Sequence, residues 1–149
     1  MVLKRRITFL LLALVIFVIT GCGNTRYPDL TDNPLEFTMG EYIDSGDDDA
    51  SYATIEYEGR TYMPYGTIRQ SIKKGDIEDC VGYLVQNGNA DIDERIYTLT
   101  ADPQHNYLMQ NYVGNTMMNQ PSFWRAVDTN GQAIDEPDYI ESLQYSYWK

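Results

Sequence analysis

DCVGYLVQNGNADIDERIYTLTADPQHNYLMQNYV, residues 79–113, is the stretch that decides the fold. Asp79 to Gln86 carries Cys80, Val81, Tyr83, Leu84 and Val85, apolar on both faces, as a strand in the middle of a sheet requires. Asn87-Gly88-Asn89 turns it. Arg95 to Thr100 sets Ile96, Thr98 and Thr100 against Arg95, Tyr97 and Leu99, the period of two of a strand with two faces. Asp102-Pro103-Gln104-His105 reads as a type I turn, with Pro where its fixed φ belongs, and Asn106 to Val113 returns. A three-stranded meander at the centre of a β domain follows.

The period of two continues on both sides. Tyr52 to Tyr57 alternates, Glu58-Gly59 has the form of a two-residue hairpin loop, and Arg60 to Met63 returns until Pro64 ends the strand or puts it on an edge. Ser71 to Asp76 is a polar excursion. Ser122 to Asp128 predicts a further strand, Asn130-Gly131 a hairpin, and Pro137 to Tyr145 a short helix with Tyr139, Ile140, Leu143 and Tyr145 on one side. The alternating Tyr145-Ser146-Tyr147-Trp148 predicts an aromatic last strand. Residues 51–149 thus predict one mostly-β domain: a small antiparallel sandwich or half-open barrel with at most one or two short helices.

Residues 22–50 read differently. Pro28, Asn33-Pro34, Gly40, Gly46 and Asp47-Asp48-Asp49 break any sustained period, which describes an acidic, flexible tether. As a coil, such a segment would span about 30 Å. Leu35, Phe37 and Met39 alternate within it, a pattern that also suits a short strand at the domain edge.

Residues 1–21 have the form of a signal segment. Lys4, Arg5 and Arg6 precede an apolar run from Ile7 to Ile19. As a helix this run measures about 20 Å, short of a bilayer core of roughly 30 Å. A basic start, a short apolar run and small residues at its end describe an export signal rather than a membrane span. Ile19-Thr20-Gly21-Cys22 resembles the lipobox of bacterial lipoproteins. That resemblance implies diacylglycerol on the Cys22 thiol, cleavage before Cys22, and acyl chains of the palmitate kind holding the protein to the outer face of the cell membrane. The remainder, with Tyr62-Met63-Pro64-Tyr65-Gly66 and Asn106-Tyr107-Leu108-Met109, is similar to small domains of Gram-positive lipoproteins, a likeness that implies no activity and no site residues.

Without the leader, eight of the 11 Lys+Arg remain against 22 Asp+Glu, a net charge of −14. Nucleic acid is excluded as a partner class, since its binding rests on cations set against phosphate. Docking on anionic lipid by charge is excluded for the same reason. With Cys22 acylated, Cys80 has no intramolecular partner, and its apolar surroundings predict a buried, inert thiol.

The candidate chemistry is sparse. Asn87, Asn89, Asp91 and Asp93 are spaced by two like the start of a calcium loop, but Ile92 and Thr98 stand where Gly and Glu belong, and a polar hairpin loop suits the same residues. Asp44 and Asp47 to Asp49 offer oxygens without that spacing. Glu56 and Glu58 form a carboxylate pair near a hairpin tip. No nucleophile elbow, phosphate loop or zinc motif is present, and the one His sits in a turn. No cofactor is implied. Aromatics are the excess: 13 Tyr, two Trp and two Phe follow the leader. Tyr52, Tyr62, Tyr65, Tyr107, Tyr112, Tyr145 and Tyr147 are either sheet and core residues or an exposed platform for a protein or glycan. The leading expectation is a non-catalytic binding or accessory module for a protein or cell-wall component. An inhibitor or immunity-type envelope protein and a glycan-active enzyme are the alternatives.

Overall fold

The computed structural model describes residues 27–43, 50–114 and 120–148, without the Ile43 side chain. The leader, Cys22 and Asp44 to Asp49 lie outside the described residues. The strands are β1 (Leu30–Thr38), β2 (Gly40–Ile43), β3 (Ser51–Tyr57), β4 (Arg60–Ile68), β5 (Ile77–Gln86), β6 (Asn89–Leu99), β7 (Tyr107–Tyr112), β8 (Ser122–Ala126) and β9 (Ile140–Ser142). They form one curled sheet, a half-barrel, in the order β1-β5-β6-β7-β8-β4-β3-β2, with β9 on β4.

The meander over 79–113 is β5-β6-β7, antiparallel throughout. Its first turn has φ of 51° at Asn87 and 75° at Gly88, and the β3–β4 turn has 50° at Glu58 and 76° at Gly59. Positive φ at both central residues is the twist-matched hairpin turn, which explains why these two dipeptides were readable from sequence.

The tether expectation is overturned for residues 30–43. β1 runs parallel to β5, pairing Leu35 with Gly82, Phe37 with Leu84 and Thr38 with Val85. Only Met39 separates β1 from β2, which pairs with β3 from Gly40↔Thr54 to Ile43↔Ser51. One nearly continuous segment therefore reaches both ends of the sheet and straps the half-barrel together. Gly82 makes the approach possible: a Cβ there would overlap the Leu35 carbonyl and crowd the Phe37 ring.

Alternation then builds two cores. The half-barrel interior holds Phe37, Ile55, Tyr57, Tyr62, Leu84, Ile96, Leu108, Trp124 and Ala126. The outer face carries Tyr65, Cys80, Tyr97, Leu99, Tyr107, Met109 and Phe123, covered by Ile72, Tyr139 and Ile140 with Tyr27 and Trp148 packed against them. Cys80 is a free, buried cysteine, and burial pushes its thiol pKa up.

Three local expectations fail. Residues 137–148 form no helix; β9 pairs instead with Gly66, Thr67 and Ile68, on the edge of β4 left open where pairing with β3 ends at Tyr62. Tyr145 to Trp148 forms a turn rather than a last strand. Asn130-Gly131 makes a turn without a hairpin. Thr129 bonds back to the Ala126 carbonyl, and Arg125 collects the Thr129 carbonyl, so the chain leaves the sheet in a 3-10 turn over Val127–Thr129.

Candidate functional site

The half-barrel has two unlike ends. At the turn end lie the β3–β4 turn, the β6–β7 loop and the end of β8. The Arg60 guanidinium gathers them. It donates to both Asp128 oxygens at 2.7 and 3.0 Å, to the Gln104 and His105 carbonyls at 2.9 and 3.0 Å, and to Asn106 Oδ1 at 3.1 Å. A planar fork with five donors suits such a junction. The Tyr62 hydroxyl donates to the same His105 carbonyl at 2.6 Å, and the His105 ring meets Glu58 at 3.0 Å. Asp102 closes the β6–β7 turn, accepting the Tyr107 N–H at 2.6 Å. Burial raises its carboxyl pKa, while the Arg60 hydrogen bonds hold that of Asp128 below its usual value. A polar groove of about 290 Å³ runs beside this loop, between Ala101 to Asn106 and Ala133 to Asp135.

The mouth, at the other end, is half-open. β3 pairs with β4 only through Ile55↔Tyr62, Glu56↔Thr61 and Tyr57↔Arg60. Beyond Tyr62 the two strands part, and a cleft of about 300 Å³ enters the interior there. Met39, Ala53, Pro64, Leu84 and Trp124 give it apolar walls, and its lining holds no acid, imidazole or thiol. Its orienting polar group is Gln110, whose amide is fixed from both sides. The Trp124 indole donates to Gln110 Oε1 at 2.7 Å, and Gln110 Nε2 donates to Glu94 at 2.5 Å. Mouths of barrels are common places for apolar binding sites with a few placed polar groups. Sequence reasoning missed this site; the one local signal for it was Pro64, the residue named as ending a strand.

The tyrosines do not make the open platform. Tyr62, Tyr65, Tyr107 and Tyr147 are buried, and Tyr52, Tyr112 and Tyr145 are half-buried. Five of the seven nevertheless meet in one chain of rings. Tyr145 touches Tyr52, Tyr52 touches Tyr147, Tyr147 touches Trp148, Trp148 touches Tyr65, and Tyr65 touches Tyr107, with centroids 4.9–6.1 Å apart. These contacts press the C-terminal segment onto the gap between β3 and β4. The cage they form is filled from within: the Arg125 guanidinium lies 5.0, 5.1 and 5.9 Å from the Trp148, Tyr65 and Tyr107 ring centres. Tyr62 faces the interior instead.

The calcium-like residues do not converge. Asn87 lies in the turn, and Asn89 and Asp91 pair with β5 inside β6 rather than in a loop. Asp91 accepts the Asp93 N–H, across a shift in register. Among the described residues no group of three or more His, Cys, Asp or Glu is placed to hold a metal ion. Glu56 and Glu58 are exposed and serve local partners, Glu56 accepting from Thr61 at 2.6 Å. No family model, curated protein or solved structure matches the chain.

Proposed function

We propose that the chain is an exported lipoprotein, acylated at Cys22, that works as a non-catalytic binding module at the outer face of the cell membrane, with the mouth cleft as its seat. The observation that carries the binding role is the cleft itself: half-open, apolar, and equipped with one immobilised amide. A lining without carboxylate, imidazole or thiol supports binding rather than acid–base or nucleophilic chemistry.

Chain direction supports an outward-facing site. β1 enters beside Cys80 and reaches the mouth at Thr38↔Val85. Tyr27 is already seated on the Tyr97 ring, with centroids 5.7 Å apart. Four residues separate Cys22 from Tyr27, so even fully extended the five steps between them reach only about 18 Å. An acylated Cys22 holds the domain close to the bilayer by its N-terminal side and turns the mouth away. Among the described residues no helix is long and apolar enough to cross a membrane.

Membrane fractionation of Cys22→Ser tests the anchor: the variant should leave the membrane fraction, and retention there would contradict acylation. Ala53→Phe tests the seat, by filling the cleft from its wall. Ligand response should vanish while the circular dichroism spectrum stays intact; a response unchanged in the folded variant would place binding elsewhere.

A further inference from the structure

Resting on that reading of the cleft, we infer that its occupant is an apolar or aromatic residue flanked by lysine or arginine in a polypeptide outside the bilayer, with a backbone carbonyl of that segment accepting from Gln110. Size comes first. About 300 Å³ is the floor of the range for small-molecule sites, and this cleft is half-open. It takes one large side chain and leaves the rest of the partner lying across the rim.

Hydrogen bonding comes second. The Gln110 oxygen is taken by Trp124 and one of its two amide hydrogens by Glu94. The second hydrogen is the one that no described residue accepts, and Gln110 lines the cleft. The amide therefore offers a donor and refuses a donor, which selects a ligand carbonyl. Any peptide carries one beside each side chain.

Charge comes third. Glu41 pairs across the ladder with Ala53, a cleft residue, and so stands on the same side of the sheet at the rim. Among the described residues it accepts from the Ser51 hydroxyl alone, at 2.5 Å. Glu94 stands directly behind Gln110, whose amide it accepts. Two carboxylates stand beside the seat and none of its lining residues is cationic, in a chain whose net charge beyond the leader is −14. Acidic segments and anionic head groups are repelled, and basic residues beside the anchor are attracted. The outward-facing mouth also removes the host bilayer as the source of the apolar group.

The test uses the full-length acylated chain in nanodiscs, labelled with nitrogen-15, and reads the Trp124 indole N–H and the Gln110 side-chain amide. The probes are acetylated and amidated pentapeptides with a central Phe flanked by Lys, by Ser or by Glu, together with N-methylbenzamide. The Lys peptide should shift both signals saturably and bind roughly tenfold more tightly than the Glu peptide, the scale of one or two partly exposed ion pairs. In the variant Glu41→Gln that preference should fall while the Ser peptide binds as before. Equal binding of all three peptides overturns the charge selection and keeps the seat. Shifts with N-methylbenzamide alone overturn the polypeptide and keep the seat. No shift with any probe overturns the seat and the inference together.

Discussion

The two ends of the half-barrel spend the same kinds of side chain in opposite ways. At the turn end a charged group, Arg60, is consumed: all its directions are taken by Asp128, Asn106 and two carbonyls. At the mouth Gln110 is only half consumed, and the walls around it are apolar and unfilled. The first pattern makes a junction rigid by satisfying everything. The second leaves shape and one donor over, which is what a binding site needs and what a purely structural end would not keep.

The largest expected effect erases the contrast by dissolving both ends. Burial raises the phenol pKa values of Tyr62, Tyr97 and Tyr107, and pushes that of Tyr139 up to about 12. A raised folded-state pKa gives stability that is whole below the unfolded value of about 10 and is lost as pH climbs toward the folded value. Each such tyrosine costs about 1.4 kcal/mol per pH unit above that point, so unfolding should be steep and should coincide with phenolate absorbance. Gradual titration of all the tyrosines near pH 10 without unfolding would contradict their burial.

Phe37→Ala comes next, since the strap serves both ends. Phe37 is 2% exposed, and its loss should cost about 3–5 kcal/mol in denaturant unfolding. Arg60→Met separates the ends. It should cost about 2–3 kcal/mol, because it leaves acceptors unpaired at a partly exposed junction. Ser122→Ala, at the mouth, should stay within about 0.5 kcal/mol. Similar costs for the two would erase the distinction drawn here. The smallest effect is acid titration of the turn end. The lowered Asp128 pKa gives stability present at neutral pH and lost as pH falls through the carboxylate range. Asp128 is well exposed, so the loss is below about 1 kcal/mol, and it should be absent from Asp128→Asn.

What was legible in the sequence was local. Glu58-Gly59 and Asn87-Gly88 name their turns because positive φ favours few residues, and the strands beside them follow from alternation. Of residues 30–43 only the alternation at Leu35, Phe37 and Met39 was legible, as a short edge strand; its partner was not, because β1 pairs in parallel with distant β5, is polar on its outer side, and holds Pro34, which reads as a breaker. The segment after Pro137 has helical spacing, but the edge of β4 that β3 leaves open beyond Tyr62 claims Ile140–Ser142 first. The tyrosines were ambiguous for a chemical reason. The same ring serves a core or a surface, and only Arg125 inside the cage shows which. The mouth cleft is a place where two strands part, and no residue spacing encodes that.

Photo-crosslinking in cells compares the ends most directly. A benzophenone side chain replaces Leu143 at the mouth or Asp128 at the turn end, in the otherwise native, membrane-bound chain. Leu143 is 46% exposed and lines the cleft. A discrete crosslinked polypeptide from position 143, absent from position 128 and abolished by Ala53→Phe, is the expected result. Equal crosslinking from both positions, or a product that survives the filled cleft, would show that the mouth is not the binding seat.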